Sequence, residues 1–160
     1  MAKGDRYPNT IEKYRDPDTG REVWRLTSPQ VLSTHPYFYF NCIAKDNSFA
    51  VFGSDLSGSR QFYRIDLKSG ELTRLTDVPK AVVYQACLSL DDKTLIFATA
   101  DTVQKLDMDT LECEVLYELG EAWWANKTFG VTPDCTHVVQ VQLFREHYVS
   151  RAKAQSDLAA

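Results

Sequence analysis

The chain has 160 residues, 44% of them hydrophobic, with a net charge of −4 at pH 7 and an isoelectric point near 5.3. That content is enough for one buried core and excludes a disordered or fibrous chain. Lysines and arginines scattered singly argue against a nucleic-acid partner, and no stretch approaches the ~18 consecutive apolar residues of a membrane helix.

The first residues, MAKGDRYPNTIEKYRDPDTG, contain no apolar segment of the signal-peptide kind. A soluble, cytoplasmic protein is therefore expected. Cys42, Cys87, Cys113 and Cys135 are too widely spaced for a CxxC metal knuckle, which agrees with a reducing compartment. Cys42 and Cys87 hold matching places in two repeats and read as small buried hydrophobes.

In chain order, the first predicted element is a hairpin over 11–27, turning through Asp16-Pro17-Asp18-Thr19-Gly20. Its second arm, REVWRLTSP at 21–29, mimics GELTRLTDV at 70–78, so it reads as a fourth strand standing ahead of the first repeat. The aromatic run Tyr37-Phe38-Tyr39-Phe40 is predicted to be the next strand, with alternate rings packed between sheets and most of the run in the core. Three segments then superimpose: IAKDNSFAVF at 43–52, LSLDDKTLIF at 88–97 and VTPDCTHVVQ at 131–140, at offsets of 45 and 43 residues. Each has an apolar stretch, a turn bearing aspartate (Asp46, Asp91 and Asp92, Asp134) and a second apolar run, the pattern of a hairpin. RIDLKSGELTRLT at 64–76 and KLDMDTLECEVLY at 105–117 extend the first two repeats by two strands each.

Four strands in a period of roughly 40–45 residues define a propeller blade, and the 3.6-residue periodicity of helical repeats is absent. The competing reading is a β-sandwich with accidentally similar hairpins. The expected fold is all-β: a partial β-propeller of about two and a half four-stranded antiparallel blades with an N-terminal closing hairpin. The closing hairpin takes 11–27, blade one 37–76, blade two 83–118, a half blade 128–143, and residues 145–160 form a tail or the start of an insertion. Even four blades of about 40 residues would consume the whole chain. The chain is therefore expected not to close a ring alone, and to self-associate through unpaired strand edges.

The Arg-Leu-Thr endings at 25–27 and 74–76 are similar to TolB-type propeller repeats. DPDTGREVWRLTSP at 16–29, YFYFNC at 37–42 and FGSDLSGSRQFYRIDLKSGELTRLTD at 52–77 resemble, more specifically, the start of the oligogalacturonate lyases. The likeness continues through about residue 144, with EAWWANKTFGVTPDCTHVV at 121–139. The resemblance implies a seven-bladed propeller with a divalent metal, usually manganese, held by histidines and a glutamine of later blades. It also implies β-elimination on short galacturonate chains derived from pectin. No stretch here matches the family's metal ligands or catalytic base, so the resemblance implies the substrate-binding portion of that apparatus. The alternative is a TolB-like propeller piece serving as a non-catalytic protein-interaction module.

In a four-stranded meander the loop entering strand one and the loop between strands two and three share a face. That rule gathers His35, Asp55 to Arg60, Trp123, Trp124 and Arg145. Arg60 follows Ser57-Gly58-Ser59, and its guanidinium can grip a uronate carboxylate bidentately; a solvated arginine or an ion pair with Asp55 is the competing role. His35 reads either as a contact to a sugar hydroxyl or proton carrier, or as a capping histidine. Trp123 and Trp124 offer a stacking platform or inter-blade packing. His137 and His147 lack partners at ligand-like spacing, and GxSxG, P-loop and GxGxxG motifs are absent.

Overall fold

The computed structural model of the chain describes residues 2–120, 123–132 and 136–144. In chain order its strands are β1 (Arg6–Tyr7), β2 (Glu12–Arg15), β3 (Glu22–Arg25), β4 (Ser33–Thr34), β5 (Phe49–Ser54), β6 (Gln61–Asp66) and β7 (Leu72–Arg74). There follow β8 (Ala81–Leu88), β9 (Thr94–Thr99), β10 (Thr102–Asp107), β11 (Cys113–Glu118), β12 (Trp123–Val131) and β13 (Val138–Phe144).

Antiparallel pairing arranges them as one sheet in the order β1-β7-β6-β5-β4, a second in the order β11-β10-β9-β8, and the two-stranded pairs β12-β13 and β2-β3. Alternation along β5 explains why the sheets stack. Val51 faces one way, joining Phe62 and Leu75 against Ala81, Val83, Leu88 and Phe97 of the second sheet. The rings of Phe62 and Phe97, both fully buried, lie 5.4 Å apart between centroids. Ala50 and Phe52 face the other way, joining Tyr63, Ile65 and Leu72 under Tyr7, Ile11 and Leu26 of the N-terminal segment. A third cluster, Ile96, Ala98 and Val103 with Val131 and Val138, joins the second sheet to the β12-β13 pair. Burying each large side chain this way contributes roughly 1.5–3 kcal/mol. The result is all-β sheet packing of the propeller kind, each sheet sharing a core with the next.

One turn recurs three times. Asp16, Asp66 and Asp107 each accept a hydrogen bond from the backbone N–H three residues on, at Thr19 (2.7 Å), Ser69 (2.6 Å) and Thr110 (2.8 Å). The next residue then turns through positive φ: Gly20 at 69°, Gly70 at 81° and, without glycine's freedom, Leu111 at 61°.

Two features depart from the sequence expectation. The aromatic run is not a strand: β4 pairs with β5 only at Ser33–Ser54 and Thr34–Gly53, and the chain rejoins β5 at the Ile43–Ala50 bridge. Between these points Tyr37 N–H donates instead to Tyr84 O of the second sheet (2.9 Å) and Phe40 N–H to Tyr37 O (2.9 Å). Once the segment bends into a turn, alternation no longer buries every second ring, and Phe38 and Tyr39 stand 69% and 78% exposed. The other departure is β1, which adds a fifth strand outside β7. Asn9 fastens the same segment by donating to Leu26 O (2.8 Å) and Gly70 O (3.3 Å). Cys42 is buried and Cys87 half-buried.

Candidate functional site

Because strand directions alternate, the β5–β6 loop (55–60) and the β7–β8 connection (75–80) emerge at the same end of the sheets. Between them lies an open cleft of about 810 Å³, whose lining includes Arg60, Gln61, Asp77, Lys80 and Tyr84. Gln61, buried at the head of β6, holds the far wall. Its Oε1 accepts from Thr76 Oγ1 (2.8 Å) and Val78 N–H (3.1 Å), and its Nε2 donates to Val78 O (2.8 Å). The Thr76 hydroxyl in turn accepts from Phe62 N–H at 2.9 Å, so wall and strand form one network.

The cations around the cleft have different duties. Arg74 is buried beneath the wall, donating Nε–H to Thr76 O (2.8 Å) and pairing with Asp77 (2.5 Å). Lys80, held at φ 53°, pairs with Asp101 at 3.0 Å. Arg60 is exposed and makes no ion pair or hydrogen bond among the described residues. Its guanidinium is therefore available to an anion entering the cleft, with no internal carboxylate to displace.

The other sequence candidates separate. Asp55 does not pair with Arg60: its carboxylate accepts from Leu32 N–H (3.0 Å) and its own N–H donates to Leu32 O (3.2 Å), tying the loop to the chain entering β4. His35 is exposed, and its Nδ1 lies 2.5 Å from Pro36 O. A carbonyl only accepts, so Nδ1 carries the proton and Nε2 is the nitrogen left for other contacts. Neither Asp55 nor His35 lines the cleft. Trp123 and Trp124 begin β12, paired through the backbone with Phe144 and Leu143. Arg145 and His147 lie outside the described residues. His137 Nδ1 shares a hydrogen bond with Thr136 Oγ1 at 2.8 Å.

Gln61, Lys80 and Tyr84 were not marked in the sequence. The signal for Gln61 was a polar residue heading an otherwise apolar strand; Lys80 and Tyr84 carried none. Among the described residues no group of three or more His, Cys, Asp or Glu side chains could hold a metal, and no helix is long and apolar enough to cross a membrane.

An all-β stack of propeller-type sheets with an arginine presented to an open cleft defines a class, and comparison narrows it. A solved TolB from Acinetobacter baumannii, 19% identical over 84% of this chain and 35% of its own, superposes with a TM-score of 0.51 and shares the fold alone. The family model described as oligogalacturonate lyase matches residues 1–155. The chain belongs to the oligogalacturonate lyase family.

It is 33% identical over 149 residues to an oligogalacturonide lyase of Pectobacterium atrosepticum, and 32% identical over 149 residues to an oligogalacturonate lyase of Dickeya dadantii. In both cases 92% of this chain is covered and 38% of the relative. A solved oligogalacturonate lyase in complex with manganese is 34% identical over 91% of this chain and 39% of its own, with a TM-score of 0.86. The chain thus spans well under half the length of the relatives it matches.

Proposed function

We propose that this chain forms the substrate-binding part of a protein that cleaves short, pectin-derived galacturonate oligosaccharides by metal-assisted β-elimination. In that reaction a base takes the proton on the carbon bearing the uronate carboxylate, a double bond forms to the adjacent carbon, and the glycosidic oxygen leaves with its bonding pair. Charge develops on the carboxylate as the proton departs, and a cation held against it lowers the barrier. Arg60 supplies such a cation. Its unpaired guanidinium over the cleft is the observation that carries the reading, together with family membership.

The related structure is described in complex with manganese. The described residues of this chain do not fit that metal, since they bring no cluster of three or more ligating side chains together. On the family resemblance, we assign metal binding and the catalytic base to the part of the relatives' length that this chain does not span. We also propose that the protein works in the cytoplasm, which the unbridged Cys42, Cys87 and Cys113 support. Self-association through exposed strand edges is supported by the β2-β3 and β12-β13 pairs, which have two strands each among the described residues.

Calorimetric titration of the 160-residue chain with digalacturonate, and with a neutral disaccharide as control, tests the reading. The expected result is heat from the uronide alone, suppressed by salt and by Arg60→Ala. Equal binding of the neutral sugar, or none of the uronide, overturns it. With manganese and trigalacturonate the same chain should generate no ultraviolet-absorbing unsaturated product.

A further inference from the structure

An aromatic segment is hydrogen-bonded to the lining of the cleft. Tyr84, which lines it, is 47% exposed, and its backbone carbonyl holds Tyr37 N–H at 2.9 Å. Tyr37 is the hub of an aromatic group: its ring centroid lies 4.6 Å from that of Phe38 and 5.5 Å from that of Tyr39, while Phe38 and Tyr39 are 4.2 Å apart. Phe38 and Tyr39 thus expose two large rings side by side, at 69% and 78%. Contiguous exposed apolar surface of this kind marks a binding surface more often than it is accidental.

We propose that Phe38 and Tyr39 form a second sugar subsite, a stacking face for the pyranose ring that follows the one whose carboxylate Arg60 holds. This rests on the uronide reading above and deepens it. The apolar C–H face of a pyranose is matched by an aromatic plane, whereas its hydroxyls and carboxylate are matched by donors. The structure supplies both halves: Arg60 in the lining of the cleft, and the two rings on the segment whose Tyr37 N–H donates to the carbonyl of Tyr84, another lining residue. Charge selects an anionic chain over an apolar peptide: the cleft presents Arg60 unpaired, while Asp77 is neutralised by Arg74.

The subsite makes affinity depend on oligosaccharide length. Digalacturonate should bind the chain about tenfold more tightly than monomeric galacturonate. The double variant Phe38→Ala/Tyr39→Ala should erase that gain and leave galacturonate binding within twofold of the parent. Tyr39→Trp, which keeps an aromatic plane, should preserve it. Arg60→Ala should weaken both ligands.

Calorimetry with the two uronides, with circular dichroism to confirm that each variant is folded, separates the possibilities. If the aromatic double variant keeps the length preference, the subsite is overturned while the Arg60 reading stands. If Arg60→Ala changes neither affinity, the uronide reading itself fails. If the double variant alters only the sedimentation behaviour, the aromatic group is a protein contact and the sugar proposal is overturned.

Discussion

Gly53 on β5 and Val83 on β8 meet so closely at the junction of the first two sheets that a Cβ on residue 53 would collide with Val83 Cβ and lie 2.6 Å from its Cγ1. Gly53 opposes Phe62 within its own sheet, so the backbone there has no slack to retreat into a core already filled by Phe62 and Phe97. Gly53→Ala should lower stability by about 1–3 kcal/mol, the usual cost of overpacking. Val83→Ala leaves the offending Cβ in place and should not rescue it, whereas Val83→Gly should. Urea unfolding midpoints for the single and double variants would show that coupling, and simple additivity would contradict the contact.

Gln61 offers a second test. Gln61→Ala strips the partners from Thr76 Oγ1 and Val78. A loss of about 1–3 kcal/mol is expected, because buried polar groups are left unpaired. Gln61→Glu keeps an acceptor for Thr76 and Val78 N–H but sets a carboxylate against Val78 O. At neutral pH it should destabilise more than alanine, and thermal melts at pH 7 would rank the two.

Arg60 is exposed and makes no internal hydrogen bond or ion pair among the described residues, so function and folding should separate there. Arg60→Ala should reduce digalacturonate affinity roughly 10- to 100-fold, as expected for a lost charged hydrogen-bonding group. Arg60→Lys should restore only part, since an ammonium cannot reproduce the planar fork. The melting temperature should stay within about 2 °C of the parent in both variants, because surface changes rarely matter more. A large fall would reassign Arg60 to structure.

The recurring turn predicts acid sensitivity. Backbone and hydroxyl hydrogen bonds from Ser69 hold the Asp66 carboxyl below its ordinary range, and backbone N–H groups of Thr110 and Asp109 do the same for Asp107. A carboxyl lowered in the folded state stabilises the fold above its unfolded pKa, and the contribution disappears as pH falls through the lowered folded value. The affected window therefore lies below about pH 4. Asp66→Asn/Asp107→Asn keeps the turn acceptors but removes the titration, so stability plotted against pH should fall less steeply there. An unchanged acid limb would show that these turns do not set it.

Burial, and secondarily the neighbouring Cys87, pushes the Cys42 thiol up to about 12, leaving almost no thiolate at pH 8. Cys113 is exposed on β11. Among the described cysteines, iodoacetamide should modify Cys113 in the native protein and Cys42 only after unfolding, as peptide mass mapping would reveal. Early labelling of Cys42 would mean that the junction between the first two sheets opens.

What could be read without coordinates was whatever repeats locally. The hairpins at 43–52 and 88–97 and the aspartate turns at 66–70 and 107–111 declare themselves because a two-residue alternation and an Asx turn depend on neighbours in sequence. The family was legible for the same reason. Arg60 could be marked from its Gly/Ser-rich loop, but its freedom could not, since Asp55, five residues earlier, was an equally plausible partner until Leu32 N–H was seen to occupy it.

The sequence by itself determined the alternating strands, the turns between them and hence an all-β repeat. The tertiary structure decided where backbone groups without a local partner would find one. Tyr37 N–H, not satisfied by β5, reaches Tyr84 O in the next sheet, and that bond between distant residues turns an apparent core strand into an exposed aromatic surface. Arg6 and Tyr7 become a strand only because β7 offers an open edge. Both outcomes rest on hydrogen bonds between residues far apart in sequence, and a local pattern of side chains holds no record of which distant edge will be free.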